Sequence, residues 1–78
     1  PNPFNSDTKI EYFLSMMSDL SVSIHSLNGT LIEKSFIKNH PSGIHTFNFN
    51  AGDLSTGVYI FTISMRNKKE HIKMLYLK

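Results

Sequence analysis

Residues 20–29 read LSVSIHSLNG, and this stretch decides the class of fold. Its apolar residues recur at every second position, a period that predicts a β-strand with one buried face. The Asn28-Gly29 pair at its end predicts a type I′ hairpin turn, because such a turn needs positive φ at both central residues. We therefore expect residues 20–27 to pair with residues 31–37 as a β-hairpin.

Similar runs elsewhere in the chain predict further short strands. Turn-forming residues separate the runs, and no stretch of ten residues carries the apolar stripe of a helix. The predicted strands cover residues 8–14, 20–26, 31–37, 45–49, 58–65 and 71–77, with 1–5 as a further candidate. The sequence therefore predicts an all-β fold, an antiparallel immunoglobulin-like β-sandwich of six to seven short strands.

The inward positions of these strands form the predicted core. Because side chains alternate between the two faces of a strand, one set from each strand should meet between the sheets. In the strand after the hairpin turn, Ile32 and Phe36 are expected to share a face. The predicted core residues are Ile10, Tyr12, Leu20, Val22, Ile24, Ile32, Phe47, Phe49, Tyr59, Phe61, Ile63 and Met74.

The segment from residue 50 to residue 57 is rich in turn formers. We expect a short helical turn that places Leu54 at the edge of the core. Asp53 is predicted to cap backbone N–H groups of this turn. Gly57 follows the turn and is predicted to need a positive φ or a close approach of backbone.

Length, cysteine content and charge limit the classes of protein that this chain can belong to. Its 78 residues predict one domain over 1–78. The chain has no cysteine, so it forms no disulfide and has no thiolate for catalysis or metal binding. A net charge of +2 is too weak for a nucleic-acid footprint. No apolar run reaches the roughly 18 residues that span a bilayer. The start at Pro1-Asn2-Pro3 suggests a fragment of a longer protein.

No set of residues in the sequence points to catalysis or to a bound metal. His25, His40, His45 and His71 lie on four different predicted elements, without the spacing of metal ligands. The carboxylates are spread singly, and there is no Gly-x-Ser-x-Gly nucleophile elbow. We therefore predict no enzyme activity, no catalytic or metal-ligating residue and no cofactor.

Several sequence blocks follow one another in an order that carries a family resemblance. They are PNPF (1–4), TKIEYFL (8–14), LSVSIHSLNG (20–29), GIHTF (43–47), DLSTGVY (53–59) and KMLYLK (73–78). In this order and spacing the chain resembles the C-terminal sorting domain of type IX (Por) secretion cargo, and the related immunoglobulin-like domain of the flagellar hook-capping family. It departs from the pattern at His25-Ser26, where the family usually carries Tyr-Asp, and at Thr30, where Arg is usual.

The resemblance implies a non-catalytic module at the C-terminus of a larger exported protein in a Gram-negative bacterium. The implied partners are an outer-membrane secretion translocon, a sortase-like protease that removes the domain, and an upstream cargo domain of the same chain. The implied route passes through the periplasm to the cell surface or the extracellular medium. Neither nucleic acid nor a membrane span is implied.

The motif positions are the residues that we expect to be recognised. They are Pro1, Asn2, Pro3, Asn28, Gly29, Asp53, Leu54, Gly57, Val58, Tyr59, Lys73 and Lys78. An alternative interpretation is a structural or adhesive immunoglobulin-like accessory module of a secreted enzyme, such as a polysaccharide-degrading one. The sequence leaves both interpretations open.

Overall fold

Six antiparallel strands make up the computed structural model, which describes residues 6–78. The strands are β1 (Asp7–Leu14), β2 (Ser18–Ser26), β3 (Leu31–His40), β4 (Gly43–Asn50), β5 (Gly57–Met65) and β6 (Lys68–Tyr76). They form a four-stranded sheet of order β3-β2-β5-β6 and a two-stranded sheet of β1 and β4. The predicted all-β, immunoglobulin-like sandwich is confirmed. The seventh candidate strand, residues 1–5, lies outside the described residues.

The two central strands of the larger sheet, β2 and β5, bury one face completely. Their register sets Val22 opposite Ile63 and Ile24 opposite Phe61. These four side chains are at most 2% exposed. Each strand has a paired neighbour on both sides, so its backbone is satisfied and its inner face can be wholly apolar.

The β1–β4 pair packs over this inner face and closes the core. The ring of Phe47 lies 5.4 Å, centroid to centroid, from that of Phe61 across the two sheets. All predicted core residues are buried except Ile32 and Phe47, which pack partly buried against the core. Buried residues that were not among the predicted ones are Thr8, Leu14, Ala51 and Tyr76.

The face predicted for Phe36 is wrong, because a β-bulge interrupts β3. The register slips between Ile24 and His25 of β2, so that Ile32 is an extra residue in β3. Beyond the bulge the alternation of β3 is shifted by one residue. Ile32 packs against the core, whereas Phe36 lies opposite Ser21 on the outer face and is 66% exposed.

The predicted hairpin of β2 and β3 is confirmed, but its predicted turn type is wrong. Gly29 has a φ of 92°, and Asn28 has no positive φ. The Gly29 amide donates to the Ser26 carbonyl at 2.9 Å, and the Ser26 amide donates to the Thr30 carbonyl at 2.9 Å. This pattern is that of a three-residue loop closed by a left-handed glycine. The side-chain carbonyl of Asn28 accepts from the Ser26 and Thr30 hydroxyls, so Asn28 caps the loop with its side chain.

Antiparallel pairing places the connections at two opposite ends of the sandwich. The terminal end carries Ser6, the loop of residues 26–30, the loop of residues 51–56 and Lys78. The distal end carries the connections at residues 15–17, 41–42 and 66–67. The predicted motif residues divide unequally between these two ends.

Candidate functional site

The loop of residues 51–56 forms a hydrogen-bonded turn and not the predicted helical turn. The Leu54 amide donates to the Ala51 carbonyl at 2.9 Å, and Gly52 takes a φ of 51°. The predicted cap is wrong as well: the Gly52 amide donates to the Asn50 side chain at 2.8 Å, and the Asp53 side chain makes no hydrogen bond within residues 6–78. The side chain of Asn50 reaches the amide two residues ahead of it, which is that of Gly52. Asp53 follows Gly52 in the sequence and does not cap that amide. Leu54 packs partly buried against the core, as predicted.

Two tyrosines anchor this loop to the core. The Tyr59 hydroxyl donates to the Ser55 carbonyl at 2.7 Å, and the Tyr76 hydroxyl donates to the Gly52 carbonyl at 3.1 Å. Both rings are buried and meet edge to face, so each side chain joins the apolar core to the loop backbone. Each ring is buried while its hydroxyl lies at the rim of the core. Tyr76 belongs to β6, which is an edge strand among the described strands.

Further backbone bonds bring the neighbouring segments to the same end. The Lys78 amide donates to the Thr56 hydroxyl at 2.9 Å, and the Ala51 amide donates to the Ser6 carbonyl at 2.6 Å. The hairpin loop joins them, since the Leu27 amide donates to the carbonyl of Val58 at 3.1 Å. Ser6, just before β1, and Lys78, after β6, are therefore both held at the terminal end.

A shallow hollow of about 460 Å³ opens between these loops. Its walls are mainly apolar, and its most prominent side chain, Leu27, is 66% exposed. The lining residues are Ser26, Leu27, Asn28, Thr30, Ile32, Thr56, Gly57, Val58 and Tyr59. We call this feature the terminal hollow. An open hollow with mainly apolar walls suits the docking of a protein side chain.

Most of the predicted motif residues that the structure describes gather at the terminal end. The residues at this end are Asn28, Gly29, Asp53, Leu54, Gly57, Val58, Tyr59 and Lys78. Lys73 does not join them, because it lies within β6 opposite Ile60 on the outer face of the sheet. Pro1, Asn2 and Pro3 lie outside the described residues. The sequence interpretation missed Thr56, whose hydroxyl accepts from the Lys78 amide. It also missed the cap by Asn50, which the Asn-x-Gly spacing of residues 50–52 indicates.

The backbone role predicted for Gly57 is wrong. Its φ is not in the left-handed region, and a Cβ built on it would lie 3.9 Å from the Ser55 carbonyl oxygen and from the ring of Tyr59. These are ordinary van der Waals distances. The glycines with positive φ are Gly29, Gly43 and Gly52.

The distal end brings together two histidines that the sequence placed on separate elements. The ring centroids of His40 and His45 lie 3.8 Å apart, and the Tyr12 hydroxyl lies 2.9 Å from Nε2 of His40. The Nε2 atom of His45 lies 2.7 Å from the Pro41 carbonyl and must donate to it. Burial, and then the charge of His45, lower the pKa of His40 below its ordinary 6.5, and burial raises the pKa of Tyr12. Spacing gives no signal for this pair, because His40 and His45 meet only through the corner between β3 and β4.

Two further findings concern metals and membranes. Within residues 6–78, no three His, Asp or Glu side chains converge in the manner of metal ligands. The same part of the chain holds no helix with the length and hydropathy that crossing a membrane requires.

Fold and site together define a small β-sandwich domain that presents a surface at one end. The sequence matches the family of secretion system C-terminal sorting domains over residues 1–77, and the chain belongs to this family. The resemblance seen in the sequence is confirmed. The domain is thus a sorting signal of type IX secretion, which directs export toward the cell surface or the extracellular space. A search of curated proteins finds no match.

Gly29→Ala and Gly57→Ala are expected to differ in stability. At Gly29 an added Cβ has no atom within 4 Å, so its cost is purely conformational and should be about 1 kcal/mol. Gly57→Ala should change the free energy of unfolding by less than about 0.5 kcal/mol, because neither φ nor contact opposes it. Urea denaturation of the two variants measures both. A loss at Gly57 as large as that at Gly29 would contradict the assignment.

Acidification is expected to destabilise the domain through His40. Since the pKa of His40 is lowered in the folded state, the unfolded chain binds more protons below pH 6.5, and stability falls as the pH drops through that range. Melting curves between about pH 7.5 and about pH 5 should show a smaller decrease for His40→Gln than for the unaltered chain. His25→Gln, outside the cluster, serves as the control. An identical pH dependence in all three proteins would rule out this role.

Proposed function

We propose that the type IX machinery recognises this domain through its terminal end. The observation that carries the proposal is that four motif residues line one hollow and a fifth, Lys78, is tied beside it through Thr56. The four are Asn28, Gly57, Val58 and Tyr59. Residues far apart in the sequence form one surface here, which favours recognition of the folded domain over recognition of a linear peptide.

The terminal hollow is held rigid before any partner binds. The hydroxyls of Tyr59 and Tyr76 fix the loop of residues 51–56, and Asn28 fixes the hairpin loop. A preformed surface avoids the cost of ordering loops on binding. Leu27 and Val58 offer an apolar lining, and the exposed cation of Lys78 can pair with a partner carboxylate at the rim.

The domain travels, in this proposal, as one folded unit over residues 1–78 attached to an upstream cargo domain. It crosses the periplasm, binds the outer-membrane translocon and is removed by a sortase-like protease, and the cargo stays at the cell surface or is released. Family membership supports this sequence of events. The position of Ser6 supports it too, because Ser6 bonds to the loop of residues 51–56 at the terminal end.

The domain itself is proposed to be non-catalytic, with any enzyme activity residing in the cargo. Family membership supports this, since a sorting signal acts by being recognised. The motif residues outside the hollow are proposed as further recognition residues, because they belong to the same sequence blocks. These are Pro1, Asn2, Pro3, Gly29, Asp53, Leu54 and Lys73.

Leu27→Asp combined with Lys78→Glu is expected to block secretion without unfolding the domain. The double variant puts charge on the lining of the terminal hollow and reverses the charge beside it. Both side chains are exposed, so the stability cost should be below about 1 kcal/mol in total. The measurement follows a reporter protein that carries an N-terminal export signal and this domain, in a host with type IX secretion. Reporter should accumulate in the periplasm.

Met17→Asp combined with Lys38→Glu is the matched control. It makes the same change in charge, on exposed side chains outside the terminal hollow. The reporter with this control should be exported normally. Export of the Leu27→Asp, Lys78→Glu reporter at the control level, with melting curves that show both domains folded, would refute recognition through the terminal end.

A further inference from the structure

The outer face of the four-stranded sheet forms a regular grid of side chains. Cross-strand pairing aligns them in three rows of four, running from β3 through β2 and β5 to β6. The rows are Phe36, Ser21, Ser64 and Lys69; then Lys34, Ser23, Thr62 and His71; then Leu31, His25, Ile60 and Lys73. None of the twelve residues is fully buried. We call this surface the outer grid.

The outer grid carries lysines but no carboxylate. The acidic residues of its edge strands, Glu33 and Glu70, occupy alternate positions, opposite the inward residues Ile24 and Ile63. The outer face of the β1–β4 sheet has the reverse balance, with two carboxylates, Asp7 and Glu11, against one lysine. The lysines of the outer grid therefore give this face an excess of positive charge, against one carboxylate of β2 that lies just outside the grid, Asp19, which accepts from the Asn39 amide. Such an excess attracts an anionic partner to that face.

Within the outer grid, hydroxyl and lysine side chains occupy different strands. Four of the six grid positions on the central strands β2 and β5 carry short hydroxyl side chains, namely Ser21, Ser23, Thr62 and Ser64, and the other two are His25 and Ile60. The lysines occupy the two border strands, which are three strand spacings, or about 14 Å, apart. Thr62 already bonds to His71, Oγ1 to Nδ1, at 2.9 Å. The result is a flat strip of hydroxyl groups bordered by cations on both sides.

We propose that the outer grid binds an acidic polysaccharide, a chain of sugars that bear carboxylate or sulfate groups. Hydroxyl side chains both donate and accept hydrogen bonds, which matches the hydroxyls of a sugar ring. Lys34 and Lys69 pair with its anionic groups from the two borders. Phe36, two-thirds exposed at the end of one row, offers an apolar plane on which a sugar ring can lie.

Other anionic partners fit the outer grid less well. Nucleic-acid phosphates favour the forked guanidinium of Arg, and the only Arg of the chain, Arg66, lies in the β5–β6 turn. A membrane surface favours a patch of protruding apolar side chains surrounded by cations, whereas the exposed Phe36 and Leu31 lie along one border strand and hydroxyls fill most of the two central strands. This binding function is separate from sorting, because it uses the face of the sheet and not the terminal hollow.

The test measures retardation of the 78-residue chain in gels that contain polygalacturonate, sulfated dextran or neutral dextran. We expect one or both acidic polymers to retard the chain, and added salt to weaken this retardation. Comparison of polygalacturonate with sulfated dextran shows whether the chain prefers carboxylate or sulfate groups. Lys34→Gln combined with Lys69→Gln should weaken binding about tenfold, as the loss of two exposed ion pairs within their usual range predicts. Phe36→Ala should weaken it further.

Lys9→Gln combined with Lys78→Gln is the matched control, with the same change in net charge outside the outer grid. It should keep its affinity within about twofold. The proposal fails if neutral dextran retards the chain equally, if no acidic polymer retards it, or if the control loses as much affinity as the Lys34, Lys69 variant. Tighter binding to phosphatidylglycerol vesicles or to duplex DNA would overturn it in favour of those partners. Melting curves establish that all variants are folded.

Discussion

The register between β2 and β5 is the constraint on which the rest of the structure depends. With Val22 opposite Ile63 and Ile24 opposite Phe61, the fully buried side chains of both strands point inward together. The same register turns Ser23 and Thr62 outward as a pair. A slip of one residue would exchange the two faces, burying hydroxyls and exposing the core. The core and the outer grid are therefore two consequences of one alignment.

The terminal end depends on the same core through its tyrosines. The rings of Tyr59 and Tyr76 are part of the buried cluster, and their hydroxyls hold the backbone of the loop at residues 51–56. A surface built in this way is only as well ordered as the core beneath it. This explains how a sorting signal of 78 residues, without disulfides, can present a defined hollow to a partner. It also separates the two proposed roles: the hollow serves sorting at one end, and the sheet face is left for another ligand.

Period-two patterns were enough to predict the strands and almost the whole core, because each strand has one apolar face. The failures lie where the chain departs from that period. The bulge at Ile32 moved Phe36 to the outer face, and nothing in the local composition marks an extra residue there. The predicted turn type at Asn28 was wrong because the hydrogen bonds that its side-chain carbonyl accepts compete with the backbone geometry that Asn-Gly usually takes. The pairing of His40 with His45 depends on how the two sheets meet, which spacing along one chain does not encode.

Native-state hydrogen exchange tests most directly whether the β2–β5 pair is the element on which the fold depends. Amides that exchange only through global unfolding should be concentrated in these two strands, around Val22, Ile24, Phe61 and Ile63, while β3 and the β1–β4 pair open locally and exchange faster. The Leu54 amide, bonded to Ala51 within the anchored loop, should be protected well above a free loop amide. The account would be contradicted if the slowest-exchanging amides lay in β1 and β4. It would also be contradicted if the amides of β2 and β5 exchanged no more slowly than those of β3.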